Sequence, residues 1–126
     1  MNVIDSSAWL EYFANGPNAS FFSSAIERSR DLLVPSMTLY EVFKRILQQR
    51  DEGSALQAVA AMQQGRVIDL DSNLAVMAAR VSAERELPMA DSIILAIAWA
   101  HGAEVWTQDA DFKGLPGVRY RRRKTK

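Results

Sequence analysis

The sequence predicts an α/β domain built around a mostly parallel sheet. Short apolar runs typical of buried strands alternate along the chain with longer segments of helical periodicity. The 126 residues suffice for one domain. The hydrophobic share of 48% and the charged share of 24% are those of a folded globular protein, which argues against disorder.

The first part of the chain is predicted to contain two strands that flank two helices. Both helices carry apolar side chains at helical spacing, and a Gly-Pro-Asn turn separates them. The predicted elements are a strand at 2–5, a helix from about Ser7, a helix at about 19–29 and a strand at 32–34.

Two further helices follow in the middle of the chain. Ser36 is placed to cap a helix at about 37–50, and Ser54 and Gln57 have the spacing of a capping box that opens another, ending near Gly65. The predicted core side of the first of these helices consists of Leu39, Val42, Phe43 and Ile46.

The last part alternates again between strands and helices. The predicted helix after Pro88 is apolar on nearly all sides, which indicates a buried helix. The predicted elements are a strand at 67–70, a helix from Ser72, a helix at about 89–101, a strand at 105–107 and a possible edge strand at 118–120.

The absence of cysteine and the single histidine, His101, exclude several kinds of site. Disulfides, thiolate zinc sites, cysteine nucleophiles and multi-histidine metal sites cannot be built from this composition. An enzyme of this composition would therefore depend on carboxylates. The lack of cysteine also suits a reducing cytoplasm, which is the compartment we expect.

Charge is unevenly distributed although the formal net charge is zero. After Asp111 the chain contains seven basic residues and no acidic one. We therefore expect a domain at 1–120 and a basic C-terminal tail at 121–126, which is either simply solvated or binds nucleic-acid phosphates. The candidate nucleic-acid-binding residues are Arg121, Arg122, Arg123 and Lys124.

No membrane association is expected. The sequence contains no apolar run of the length that spans a bilayer. Asp5 and Glu11 also stand where a signal peptide would need its apolar stretch, so we expect no secretion by that route.

Two acids follow predicted strands. Asp5 ends the first strand and Asp109 lies just past the fourth, so both should lie at the carboxyl edge of the sheet, where α/β proteins bind ligands. Ordinary structural roles are also open, because Asp5 could cap the next helix and Asp109 could form an Asx-turn.

Asp91 is the one charged residue between Leu87 and Ala100, in the predicted buried helix. An unpaired carboxylate in such surroundings loses solvation worth several kcal/mol. Its place in the first helical turn offsets only about 0.3–1 kcal/mol of this cost. A functional role for Asp91 is therefore favoured.

Glu41 has the weakest pattern of the four candidate acids. It lies opposite the apolar face of its helix, beside Lys44 and Arg45, where either solvent or a cleft could meet it. If these acids converge, their repulsion requires a cation, and oxygen ligands select Mg²⁺ or Mn²⁺. Such a carboxylate site suits phosphodiester hydrolysis.

The sequence resembles the PIN-domain ribonucleases, most closely the VapC-like toxins of toxin–antitoxin pairs, over about residues 2–120. The resemblance rests on four motifs in order, with their acids 36, 50 and 18 residues apart. The motifs are Val3-Ile4-Asp5-Ser6-Ser7, Ser36-Met-Thr38-Leu-Tyr-Glu41, Leu87-Pro88-Met-Ala-Asp91-Ser-Ile-Ile and Thr107-Gln-Asp109-Ala-Asp111-Phe112.

The resemblance implies a three-layer α/β/α fold with about five strands and an acidic pocket. In that pocket Asp5, Glu41, Asp91 and Asp109 would be catalytic. Of these, Asp5, Asp91 and Asp109 would bind Mg²⁺ or Mn²⁺. The supporting residues would be Ser6, Thr107 and Asp111, the last of which could assist or replace Asp109.

The implied activity is metal-dependent endonucleolytic cleavage of RNA. The family also implies a homodimer and a small cognate antitoxin that silences the nuclease. Three alternatives remain open: an RNA-processing nuclease outside any toxin system, an inactive RNA- or protein-binding module, and a phosphoacceptor receiver domain. The last would need a Lys after the strand at 105–107, and none is present there.

Overall fold

The computed structural model describes residues 1–124 and contains a five-stranded sheet in which every neighbouring pair of strands is parallel. The strands are β1 (Asn2–Ile4), β2 (Leu32–Pro35), β3 (Arg66–Ile68), β4 (Glu104–Thr107) and β5 (Val118–Tyr120). Their order in the sheet is β3-β2-β1-β4-β5. The predicted α/β class and five-stranded parallel sheet are therefore confirmed.

Within residues 1–124, six helices cover the two faces of the sheet. Their bounds are α1 (Ser6–Phe13), α2 (Ala19–Ile26), α3 (Ser36–Gln49), α4 (Glu52–Met62), α5 (Ser72–Arg85) and α6 (Met89–Ala100). Helices α1 to α4 contribute to one apolar core, and α5 and α6 contribute to the other. This is the three-layer α/β/α arrangement. No helix within residues 1–124 has the length and apolar character needed to cross a membrane.

Alternation along the central strands explains the two cores. In β1, Val3 belongs to the α5/α6 core and Ile4 to the core of α1 to α4. In β4, Val105 belongs to the α5/α6 core and Trp106 to the core of α1 to α4. Successive side chains of a strand point to opposite faces, so each of these strands contributes to both cores.

Several helix ends differ from the sequence expectation. The helix expected to begin at Ser54 begins at Glu52, because Asp51 supplies the cap by accepting the Ser54 N–H at 2.7 Å. Ser36 is the first residue of α3 rather than its cap, and the preceding Pro35 has no side chain with which to cap. The helix expected to reach residue 29 ends at Ile26.

Met1 and Arg121, which flank the first and last strands, are hydrogen-bonded to the sheet. The Glu104 N–H donates to the backbone oxygen of Met1, and the Arg121 N–H donates to that of Thr107. The second bond continues the β4–β5 ladder for one residue past β5. The last two residues of the predicted basic tail, Thr125 and Lys126, lie outside the described part of the chain.

Candidate active site

The carboxyl ends of β1 and β4 bring together acids that are far apart in the sequence. Asp5 follows β1 directly, and Asp109 lies two residues after β4. These strands are paired in parallel, with Ile4 opposite Trp106. Both acids therefore lie at the edge of the sheet where open α/β folds bind ligands.

Asp5 is 2% exposed, and three residues donate hydrogen bonds to its carboxylate. Oδ1 accepts the Ala8 N–H at 2.9 Å and the Ser7 hydroxyl at 2.8 Å, and Oδ2 accepts the Thr107 hydroxyl at 2.7 Å. The Ala8 bond caps α1, so Asp5 has the expected structural role as well as its place in the site. Desolvation outweighs these bonds and raises the pKa of Asp5 to about 6.

Asp91 lies in the first turn of α6 and is half-buried. Desolvation raises its pKa to about 7, and the negative charges of nearby acids add to the effect. In decreasing order of effect these acids are Asp109, Asp5, Asp111 and Glu41. The acid that the sequence leaves without a partner thus faces four other carboxylates.

Asp109 and Asp111 flank a short turn after β4. Oδ1 of Asp109 accepts the Asp111 N–H at 2.9 Å, which is the Asx-type bond that the sequence allowed. One carboxylate oxygen each from Asp91, Asp109 and Asp111 lies within 4.8 Å of the other two. This compact group contains Asp111, whereas the expected ligand set contained Asp5. Asp5 borders the same cleft from the end of β1.

Glu41 lies half-buried on α3, on the side that faces the cleft. Its Oε1 accepts the Ser6 hydroxyl at 2.6 Å. The sequence left open whether Glu41 faces solvent or a cleft, and in the structure it faces the cleft. The bond also joins the start of α1 to α3 across the mouth of the site.

A cleft of about 390 Å³ contains all four candidate acids and Ser6 in its wall. Thr107 lies beneath it, fully buried and bonded to Asp5. Several polar residues of the wall were not among the candidates from the sequence, namely Ser7, Tyr40, Lys44, Arg45 and Gln48, whereas Arg123 was a candidate only as part of the basic tail.

Helical spacing was the signal that could have found part of this wall. Lys44, Arg45 and Gln48 follow Glu41 by three, four and seven residues, so they share its side of α3. Arg123 has no such local signal. Its place in the cleft depends on how the chain folds after β5.

The four candidate residues of the basic tail differ in their surroundings. The Arg121 guanidinium lies 4.1 Å from the centre of the Phe21 ring, and the backbone oxygen of Arg122 accepts a hydrogen bond from Asn18 at 3.0 Å. Arg123 lines the acidic cleft, whereas Arg122 and Lys124 do not.

The donor set of the cleft fits a hard divalent cation. Its charged ligands are carboxylates, the atoms that Mg²⁺ and Mn²⁺ prefer over softer ions. Desolvation is the largest cause of the raised pKa of Asp91, and the repulsion from nearby acids that adds to it is a cost that a bound cation would remove. The residues that could bind the ion are Asp5, Asp91, Asp109 and Asp111.

A comparison with protein families matches the PIN domain over residues 3–118. The chain belongs to the PIN-domain family. The match covers β2, β3 and β4 completely, most of β1, the first residue of β5 and the four candidate acids. A comparison of this PIN domain with curated proteins finds no match.

Solved structures share the fold of this PIN domain over nearly its whole length. A toxin–antitoxin complex from Klebsiella pneumoniae is 24% identical, with a TM-score of 0.79, and the match covers 94% of this chain and 96% of that one. Mycobacterium tuberculosis VapC20, a Sarcin-Ricin loop cleaving toxin, is 17% identical, with a TM-score of 0.78 and coverage of 94% and 97%.

A DNA-bound VapBC from Salmonella typhimurium is 21% identical, with a TM-score of 0.75 and coverage of 96% of each chain. At identities this low, the likeness to the three structures concerns the fold. The chemistry of this PIN domain has to be argued from its own cleft.

Proposed function

We propose that this PIN domain is an endoribonuclease that hydrolyses RNA phosphodiester bonds with Mg²⁺ or Mn²⁺, and that it is the toxin of a toxin–antitoxin pair. One observation carries the proposal. Asp5, Glu41, Asp91 and Asp109 come from four separate parts of the sequence and line one cleft, although their charges repel one another. Folding retains such an arrangement at a cost in stability, which is typical of functional sites.

The reaction class follows from the chemistry of these residues. Carboxylates alone offer no strong nucleophile for attack on a phosphodiester. A divalent cation bound to them would lower the pKa of water and would stabilise the charge that develops on phosphate oxygens. RNA is a substrate whose scissile group suits such an ion.

The residues of the cleft divide into ligands and positioning groups. We assign Asp5, Asp91 and Asp109 to the cation, with Asp111 as a further ligand from the same turn as Asp109. Ser7 and Thr107 fix the orientation of Asp5 through its two carboxylate oxygens. Buried hydrogen bonds of this kind hold ligands in productive positions.

Glu41 has a different role in the proposal. Ser6 binds its Oε1, and no hydrogen bond to Oε2 is present within residues 1–124. Oε2 is therefore left to orient a water molecule or accept its proton. Ser6 positions Glu41 in the same way that Thr107 positions Asp5.

The biological assignment is supported by the fold neighbours, which are described as a toxin–antitoxin complex, a DNA-bound VapBC and a Sarcin-Ricin loop cleaving toxin. We accordingly propose a small cognate antitoxin as the partner and a homodimer as the assembly. A cytoplasmic location suits both the absence of cysteine and an RNA substrate.

Cleavage of RNA by the purified protein tests the activity. We expect products with 5′-phosphate and 3′-hydroxyl ends when Mg²⁺ or Mn²⁺ is present, and no products with EDTA. Cleavage that persists in EDTA would contradict the mechanism. Growth arrest on expression, relieved by co-expression of the protein encoded by the adjacent gene, tests the toxin assignment. An active nuclease that causes no arrest would instead indicate RNA processing.

A further inference from the structure

The chain after β5 follows a defined path along the edge of the sheet. The Arg121 N–H donates to the Thr107 backbone oxygen at 2.9 Å, which extends the β4–β5 pairing. The Arg121 guanidinium stacks on Phe21, with 4.1 Å between Cζ and the ring centre. Residues 121 and 122 therefore lie at the carboxyl end of the sheet, where β4 and β5 end.

Asn18 fixes the next residue of the tail. Its Nδ2 donates to the backbone oxygen of Arg122 and to Oε1 of Gln108, each at 3.0 Å. Asn18 is 1% exposed and Gln108 is 3% exposed, so both bonds start from buried side chains. We call this pair of bonds the Asn18 latch. Gln108 lies between Thr107 and Asp109, so the latch ties the tail to the motif that carries a candidate ligand.

The latch places Arg123 in the wall of the acidic cleft. Arg123 borders the same space as Asp5, Asp91 and Asp109, yet it forms no ion pair with any of them within the described residues. Its guanidinium remains available for a ligand. Arg119, in contrast, pairs with Glu104 at 3.1 Å. The exposed Arg122 side chain provides the same charge one residue away but does not line the cleft.

We propose that residues 121–123 are part of the nuclease site: the Asn18 latch holds Arg123 so that its guanidinium binds an RNA phosphate beside the scissile one. This inference rests on the proposed nuclease function. Arginine suits the role because its planar group donates two parallel hydrogen bonds to phosphate oxygens. Lys44 and Arg45 of α3 line the same cleft and add positive charge at its rim.

Binding of a fluorescein-labelled RNA hairpin, measured by anisotropy in EDTA over a range of salt concentrations, tests the role of Arg123 without cleavage. We expect Arg123→Ala to weaken binding about threefold to tenfold and to reduce the slope of log K against log salt by about one, as for one lost phosphate contact. Arg122→Ala is the matched control. We expect its loss of RNA affinity and its reduction of the salt slope to be at most half of those of Arg123→Ala. Equal effects of the two variants, or no effect of Arg123→Ala, would overturn the proposal.

A double-mutant comparison tests the latch. Asn18→Ala should weaken RNA binding to the same extent as Arg123→Ala, and the double variant should be no weaker than Arg123→Ala alone, because both changes remove one contact. Additive losses would show that Asn18 does not act through Arg123. If Asn18→Ala fails to fold in a thermal unfolding assay, the comparison of Arg122→Ala with Arg123→Ala still decides the role of Arg123.

Cleavage assays separate this proposal from the nuclease assignment. A wild-type protein that binds RNA but leaves it intact with Mg²⁺ or Mn²⁺ contradicts the proposed function. An active wild-type enzyme in which Arg122→Ala and Arg123→Ala bind RNA equally well contradicts the role of Arg123 alone.

Discussion

Thr107 donates its hydroxyl proton to Oδ2 of Asp5 over 2.7 Å. The same hydroxyl oxygen accepts the Asp109 N–H at 2.9 Å. One buried side chain at the end of β4 therefore sets the positions of a carboxylate from β1 and of the turn that carries Asp109. Because Thr107 is fully buried, water cannot replace either bond.

Replacement of Thr107 by Val should remove both bonds while it keeps the shape of the side chain. We expect the free energy of unfolding to fall by about 1–3 kcal/mol, since the buried carboxylate of Asp5 and the partly buried N–H of Asp109 each lose a partner. Because the Thr107 bond lowers the pKa of Asp5, its loss should raise that pKa further. Chemical denaturation measures the stability, and Mg²⁺ titration measures the loss of Mg²⁺ affinity.

Thr107→Ser is the matched control for this substitution. It retains the hydroxyl and loses a methyl group from the core, so its stability falls without loss of the two bonds. We expect its Mg²⁺ affinity to stay close to that of the wild type. Equal loss of Mg²⁺ affinity in Thr107→Ser and Thr107→Val would show that packing, not the hydroxyl, matters.

Replacement of Ser6 by Ala should separate activity from stability. Ser6 is half-buried, and its hydroxyl binds Glu41 at 2.6 Å, so its loss frees Glu41 to turn towards solvent. We expect RNA cleavage to fall about tenfold, in the range known for residues that orient a ligand, with little change in melting temperature. Ser6→Thr keeps the hydroxyl and should retain most of the activity. A fully active Ser6→Ala variant would remove Ser6 from the mechanism.

The sequence was sufficient to find the acids whose positions depend on local rules. Asp5 and Asp109 follow strands, and the carboxyl ends of parallel strands share one edge, so their proximity could be predicted without coordinates. Asp91 could be selected as a candidate because a lone carboxylate in an apolar helix is costly. In both cases a physical rule connects the local pattern to the site.

Other features depend on contacts between distant segments and could not be predicted in this way. Glu41 lies on the polar side of α3, and only the packing of α1 against α3 shows that this side meets a cleft. Arg123 depends on its neighbour's bond to Asn18, which lies 104 residues away from Arg122. The predicted start of α4 was wrong for a simpler reason. Asp51, rather than Ser54, is the residue that caps the helix.

Divalent cations should stabilise the protein through the acid cluster. An ion that binds the folded state alone raises its melting temperature, with an effect that grows with ion concentration. We expect a rise with Mg²⁺ or Mn²⁺, reversal by EDTA, and a smaller rise at low pH, because protonated carboxylates bind cations poorly. Differential scanning fluorimetry measures all three effects.

Substitutions in the cluster show which carboxylates bind the ion. Asp109→Asn should reduce the Mg²⁺-dependent rise, and Asp111→Asn should do the same if the compact group with Asp91 is the binding site. Asp71→Asn is the control, since Asp71 caps α5 and is not part of this group. A rise that is unchanged in Asp109→Asn and Asp111→Asn would place the ion elsewhere.

Replacement of Asp91 by Asn should abolish RNA cleavage and yet stabilise the metal-free protein at neutral pH. The pKa of Asp91 is raised from 3.8 to about 7 in the folded state, so the folded protein holds this proton more tightly than the unfolded chain. Wild-type stability should therefore fall as pH rises from about 4 to about 7, while Asn has no charge to desolvate. We expect cleavage to fall by about a hundredfold or more.

Thermal unfolding in EDTA should show that Asp91→Asn is more stable than the wild type at pH 8 and that this gain disappears near pH 4. The control variant Asp71→Asn should show no such gain. An Asp91→Asn variant less stable than the wild type at pH 8 would contradict the cost of desolvation and charge repulsion at Asp91.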